Sequence, residues 1–259
     1  MKKALAYNTY GNIDVRRMVA EYVFEFLKQG GKRDNESLKN VIDYAIEKIE
    51  KNIQQEPKNV KWYMYQGELY NLGAIILTNP EPLYAKKAEE LFLKSKEMSS
   101  GRLQIYLELA QAYKVQGEFE KMWQVLHEAI EILPDHPLSH INILAHAIEL
   151  NDREKESSEL EWLHYHNAEF YNDVIRDAYY NAGRINDAIN MQVAKIHAAD
   201  LIEVRDISNI ELSFDYSQLA ALYKEAGLYN NAREAALKAV ELDPSQRDAA
   251  EAFLQSLPK

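Results

Sequence analysis

Residues 103–134 read LQIYLELAQAYKVQGEFEKMWQVLHEAIEILP, and this stretch decides the fold. Tyr106, Leu109, Ala110 and Tyr113 fall at i, i+3, i+4 and i+7, which puts them on one face of a helix. Gly117 stands where that helix has to stop, because glycine takes the left-handed conformation without steric cost. Phe119 is expected to pack the turn. Ala129 is small where a second helix would cross, and Pro134 ends that helix. Residues 213–244, SFDYSQLAALYKEAGLYNNAREAALKAVELDP, repeat the offsets with Tyr216, Leu219, Ala220, Tyr223, Gly227, Tyr229, Ala232, Ala239 and Pro244.

Two copies of one helical hairpin, matching at these positions, resemble the tetratricopeptide repeat (TPR). A single hairpin cannot bury its apolar face alone, so units stack on one another. The resemblance implies an all-α, right-handed TPR solenoid of antiparallel helix pairs. The aromatic stripe then reads as core packing rather than a cofactor box.

Composition narrows the function. The chain has 259 residues, 47% of them hydrophobic, with seventeen Tyr and few Gly or Pro, as a packed helical protein requires. Its formal net charge of −11 opposes nucleic-acid binding and docking on an anionic membrane, both of which need a basic face. The absence of cysteine removes disulfides, thiolate catalysis and cysteine zinc sites. No apolar run approaches the ~20 residues that span a bilayer, so no membrane insertion is expected.

Outward from the deciding stretch, the register yields one solenoid over residues 1–259. Its helical pairs fall near 12–57, 60–100, 102–134, 136–167, 168–201 and 211–244, with a capping helix over 246–257. Asp34 and Asn35 are candidates to cap the helix of 35–55. Residues 203–210 read as an insertion before the last full pair. Lys3-Ala4-Leu5 resembles the end of a second repeat helix, as Lys238-Ala239-Val240 does, so the chain is expected to begin inside a preceding repeat.

Candidate chemistry is sparse. His136 and His140, four apart, have a spacing that binds metal, but no HExxH and no third ligand accompany them. His164 and His166 flank Tyr165 and point in different directions on a helix. No phosphate loop, GxSxG or triad spacing occurs. The expectation is no cofactor, no metal and no catalytic residue.

In the family, ligands lie on the concave wall formed by the first helix of each repeat. Here that wall is expected to expose Lys61, Met64, Glu68, Asn71, Gln104, Leu107, Gln111, Lys114, Phe170, Asp173, Asp177, Tyr180, Phe214, Ser217, Ala221 and Lys224. Chaperone-docking TPR proteins use Lys, Arg and Asn on this wall to clamp a peptide carboxylate. Met64, Leu107, Asp173 and Ser217 stand where such cations would be, which argues against that clamp. The strongest binding candidates are Met64, Glu68, Leu107, Gln111, Lys114, Asp173, Asp177, Tyr180, Ser217 and Lys224. Asp173, Asp177 and Tyr180 share one helix face, and two carboxylates beside an aromatic suit a Lys- or Arg-bearing segment. The mixture favours a protein or peptide ligand, a basic one above all, and leaves a glycan open.

Residues 4–30 and 59–112 also resemble the C-terminal TPR region of O-antigen ligase and polymerase-like membrane proteins of the bacterial envelope. The resembling elements are Gly11-Asn12-Ile13-Asp14-Val15-Arg16, Trp62-Tyr63 with Gly67 and Tyr70, and residues 99–102 before a repeat. The resemblance implies an extracytoplasmic partner-binding tail of an envelope polysaccharide enzyme. The glycan-transfer residues of that family lie in its membrane part, which this chain lacks. The competing expectations are a stand-alone cytoplasmic TPR adaptor and a carbohydrate-active enzyme using carboxylates paired across a groove.

Overall fold

A computed structural model describes residues 12–28, 34–78, 83–166, 172–201 and 208–258. Among them there is no strand, and they form thirteen α-helices. They are α1 (Asn12–Lys28), α2 (Asn35–Gln55), α3 (Val60–Ile76), α4 (Leu83–Met98), α5 (Leu103–Gln116), α6 (Phe119–Ile132), α7 (Pro137–Glu149), α8 (Arg153–Tyr165), α9 (Asp173–Asn181), α10 (Ile185–Leu201), α11 (Asn209–Glu225), α12 (Tyr229–Leu242) and α13 (Arg247–Gln255). Consecutive helices from α1 to α6 pack on one another, as do those from α9 to α13, and α3 also touches α5 across α4. This is the TPR arrangement of paired helices. The chain divides into two compact units, 1–139 and 140–259, the boundary falling in the first turn of α7.

The first unit is built on the apolar stripes of its helices. Val19, Ala20 and Val23 of α1, Ile42, Ala45, Ile46 and Ile49 of α2, and Trp62 and Leu69 of α3 share one core with Tyr84 and Ala85 of α4. Ala110 of α5 and Ala129 of α6 are wholly buried, as their small side chains predict. In the second unit the core runs through Leu144, Leu163, Ile175, Tyr179, Ala188, Leu219, Ala220 and Ala236. Leu257, just after α13, is buried and closes the C-terminal end.

The helix ends follow local chemistry. Asp34 caps α2 by accepting the Ser37 amide at 2.8 Å. Asn35 lies inside the helix and instead accepts the Thr78 amide at 2.7 Å. Gly117 takes a φ of 76° and lets the Gly117 and Glu118 amides reach back to the Lys114 and Tyr113 carbonyls. That backbone closure replaces the expected packing of Phe119, which stands 42% exposed as the first residue of α6. The last pair starts earlier than the register implied. Ser208 and Glu211 form a reciprocal capping box, so Asn209 and Ile210 of the expected insertion belong to α11. Residues 1–11, Phe170 and residues 202–207 lie outside the described residues.

Candidate functional site

The first unit carries a groove of about 1010 Å³ lined from α1, α3 and α5. The sequence of α3 accounts for its shape. Trp62 and Leu69 turn into the core, while Met64, Glu68, Leu72 and Ile75 follow one another at helical spacing on the groove side. Phe24 of α1 and Tyr65 add aromatic wall, and Gln111 lies across from them on α5.

The groove is acidic in two layers. At its edge Glu21 accepts the Tyr65 hydroxyl at 2.8 Å and Arg17 at 2.6 Å. The Tyr65 hydrogen bond, followed by the Arg17 interaction, keeps Glu21 below the usual carboxylate range. Deeper in, Glu68 and Glu108 behave in the opposite way. Burial, with a contribution from the charge of Glu108, pushes Glu68 up to about 7. Burial also pushes Glu108 up, against the downward pull of its bonds from Asn71 and Gln104. Both carboxylates keep part of their surface open. Lys61 and Arg102 are the cations of the lining.

Asn71 ties the floor together. Its Nδ2 donates to the Glu108 carbonyl at 2.9 Å and to Glu108 Oε2 at 3.0 Å, while Gln104 Nε2 donates to Oε1 at 2.9 Å. Asn71 is 2% exposed, and its Oδ1 has no hydrogen-bond donor among the described residues. A sealed, unsatisfied acceptor costs about 1–3 kcal/mol.

Met64, Glu68 and Gln111 line this groove together, with Lys61 beside them. Leu107 does not belong there. It is only 8% exposed and packs inside, because α3 and α4 both press on α5. Asn71, expected at the surface, is buried for the same reason. Lys114 is half-buried in the last turn of α5 and is not part of the lining.

In the second unit Tyr179 is buried and Tyr180 is 43% exposed, as the register required. The neighbouring carboxylates are already engaged. Arg176 donates to Asp173 at 2.7 Å and to Asp177 at 2.6 Å, and Lys195 reaches Asp173 at 2.9 Å and Asp215 at 2.7 Å. The buried Arg176 also bonds Gln192 and Gln218. Arg176 bonds Asp173 and Asp177 through Oδ1, Lys195 bonds Asp173 through the same atom, and the two cations offset part of the carboxylate charge. Ser217 spends its hydroxyl on the Ser213 carbonyl at 3.0 Å, and Lys224 holds Ser256 after α13 at 2.8 Å.

The two spaced histidines diverge. His136 is exposed and accepts the Leu138 amide, whereas His140 is buried, with Nδ1 at 2.7 Å from Glu159. The His140 ring stacks on Trp162 at 3.4 Å, and His166 stacks on the same indole at 3.9 Å. Among the described residues no cluster of three or more His, Cys, Asp or Glu is placed to hold a metal, and no helix is long and apolar enough to cross a membrane.

No protein family matches the chain over its sequence, and no curated protein does. Solved structures resemble it in fold. A thermophilic TPR protein of Thermus thermophilus, TTC0263, shares 14% identity over 93% of this chain and 98% of its own, with a TM-score of 0.45. BtubC from P. vanneervenii shares 16% over 83% and 93%, with a TM-score of 0.45. YrrB, described as a TPR protein with an unusual peptide-binding site, shares 14% over 79% and 96%, with a TM-score of 0.37. At this level of likeness no residue or ligand passes from them to this chain.

Proposed function

We propose that the first unit is a docking module that takes a segment of a protein partner into the groove of α1, α3 and α5. The observation that carries this reading is the groove itself, whose apolar walls stand over an acidic floor. Such a surface complements a segment carrying both apolar and basic side chains. This reading favours Glu68 over the Asp173 repeat, where Arg176 and Lys195 offset part of the acidic charge. The test is a selection of phage-displayed random peptides on the full chain, followed by calorimetric titration of the winners. Ile75→Asp changes a half-exposed wall residue and is expected to abolish binding while leaving helicity intact. Undiminished binding by that variant would overturn the reading.

The paired carboxylates also bear on the carbohydrate-active alternative. A glycosidase pair needs one carboxylate ionised while the other holds a proton. Here both are pushed in the same direction by burial, and Glu108 is tied to two amides. Assays for reducing-sugar release from envelope polysaccharides test the alternative directly.

The resemblance of residues 4–30 and 59–112 to O-antigen ligase-like tails supports an extracytoplasmic setting, with the groove recruiting a partner to an envelope enzyme. Membrane helices encoded upstream in the same gene would favour it. Their absence would favour a stand-alone adaptor, for which the groove serves equally well.

A further inference from the structure

We propose that the floor of the groove is a primary-ammonium subsite, in which Glu68, Glu108 and Asn71 receive the side chain of a lysine on the docked segment. The inference rests on the docking reading above and adds which residue of the partner is selected.

Three acceptors line this floor. Glu68 and Glu108 come from different helices, and no cation among the described residues is bonded to either in the way that Arg176 and Lys195 hold Asp173. The third is the buried Asn71 Oδ1, which has no donor. Asn71 lines the groove, and a donor that reached this oxygen would relieve it. An ammonium brings one compact charge and three N–H donors.

At Glu108 a guanidinium fits less well. Bidentate recognition needs two carboxylate oxygens presented side by side. In Glu108 one oxygen already accepts from Asn71 and the other from Gln104. What remains on each oxygen is a single lone pair at an angle, which suits a point donor and not a planar fork.

The surrounding charges balance one another, so the preference for a cation rests on Glu68 and Glu108. Glu21 and Glu25 stand on the α1 side, against Lys61 on α3 and Arg102 before α5. Lys61 lies over the Trp62 and Tyr65 rings, 5.7 and 5.5 Å from their centroids. The charged groups that α2 and α4 bring to α3, Asp43, Glu50, Lys87 and Glu90, gather round Tyr70 instead of Glu68.

The probes are the selected phage peptides, titrated at about pH 8 and about pH 6. Groove-bound peptides are expected to share a lysine, and replacing it by arginine or norleucine is expected to weaken binding at least about tenfold. Between the two pH values affinity should fall up to about tenfold, because Glu68 takes up a proton near 7 and ceases to attract the ammonium. In Glu68→Gln, a change that removes a buried charge and leaves the helix intact, the loss should be present at both pH values and its pH dependence reduced. Free spermidine, titrated alone, separates a peptide lysine from a soluble amine; saturable binding as tight as the peptide's would overturn the assignment to a partner's lysine. Peptides that lose binding in Ile75→Asp but lack a required lysine, or are indifferent to Glu68→Gln, would overturn the subsite and leave the docking groove standing. Peptides indifferent to Ile75→Asp would overturn both.

Discussion

Gly67 of α3 lies directly against the ring of Phe92 in α4: a Cβ at this position would come within 2.7 Å of the ring. Phe92 is wholly buried and has nowhere to swing. Gly67 thus sets how closely α3 and α4 approach.

Gly67→Ala accordingly sets two effects against each other. Alanine improves helix propensity by about 1 kcal/mol. Overpacking costs about 1–3 kcal/mol. With the neighbour locked in the core, the second effect is expected to win, and urea denaturation should show a net loss. A gain in stability would mean that the helices separate without penalty.

Ala110 is fully buried on α5. Ala110→Leu is expected to cost about 1–3 kcal/mol through the same overpacking. An unchanged melting temperature would refute the face assigned to this helix.

Glu68 makes stability depend on pH. An unfolded glutamate titrates near about 4.3. The folded-state value of about 7 lies above it, so the folded chain keeps a proton that the unfolded chain has released. Stability from this group is full below the unfolded value and is lost as pH rises through 7. Glu68→Gln should therefore be more stable than the parent at about pH 8, on the order of 1–3 kcal/mol, and show no advantage at about pH 4. Thermal melts across that range give the answer, and a variant less stable than the parent at high pH would contradict the burial described.

Glu156 is buried and accepts Arg184 with both oxygens at 2.8 Å. Arg184→Met leaves it with Arg153 and the Tyr179 hydroxyl, and is expected to cost about 3 kcal/mol. Arg153 is itself largely exposed, so Arg153→Ala should cost less than about 1 kcal/mol. Equal losses in the two variants would show that the second unit does not depend on the buried pair.

Much of the architecture was legible because it rests on short-range chemistry. Tyr106, Ala110 and Gly117 announce a hairpin through spacing alone, and Asp34 marks a helix start by its side chain. Ser208 and Glu211 carried the same kind of signal, and reading their three-residue offset as a capping box would have placed the start of α11 correctly. The contents of the groove were less legible. Met64, Glu68 and Gln111 follow from helical phase. The burial of Leu107 and Asn71 does not, because it depends on how α3 meets α5. Arg176 lies three residues from Asp173 and was readable as its partner, but Lys195 comes from the next helix. Glu68 and Glu108 become coupled only when two helices meet, which no local spacing encodes.

The stacking of His140 and His166 on Trp162 has an optical consequence. Of the three tryptophans, Trp62 and Trp123 belong to the first unit and Trp162 to the second. Imidazoles in face contact quench indole emission, most strongly when protonated, so the native fluorescence should come mainly from the first unit. Unfolding the second unit releases Trp162 from its two neighbours and should brighten the signal as its helices melt. The chain thus carries, without any added label, a reporter that turns on when the packing around Trp162 is lost.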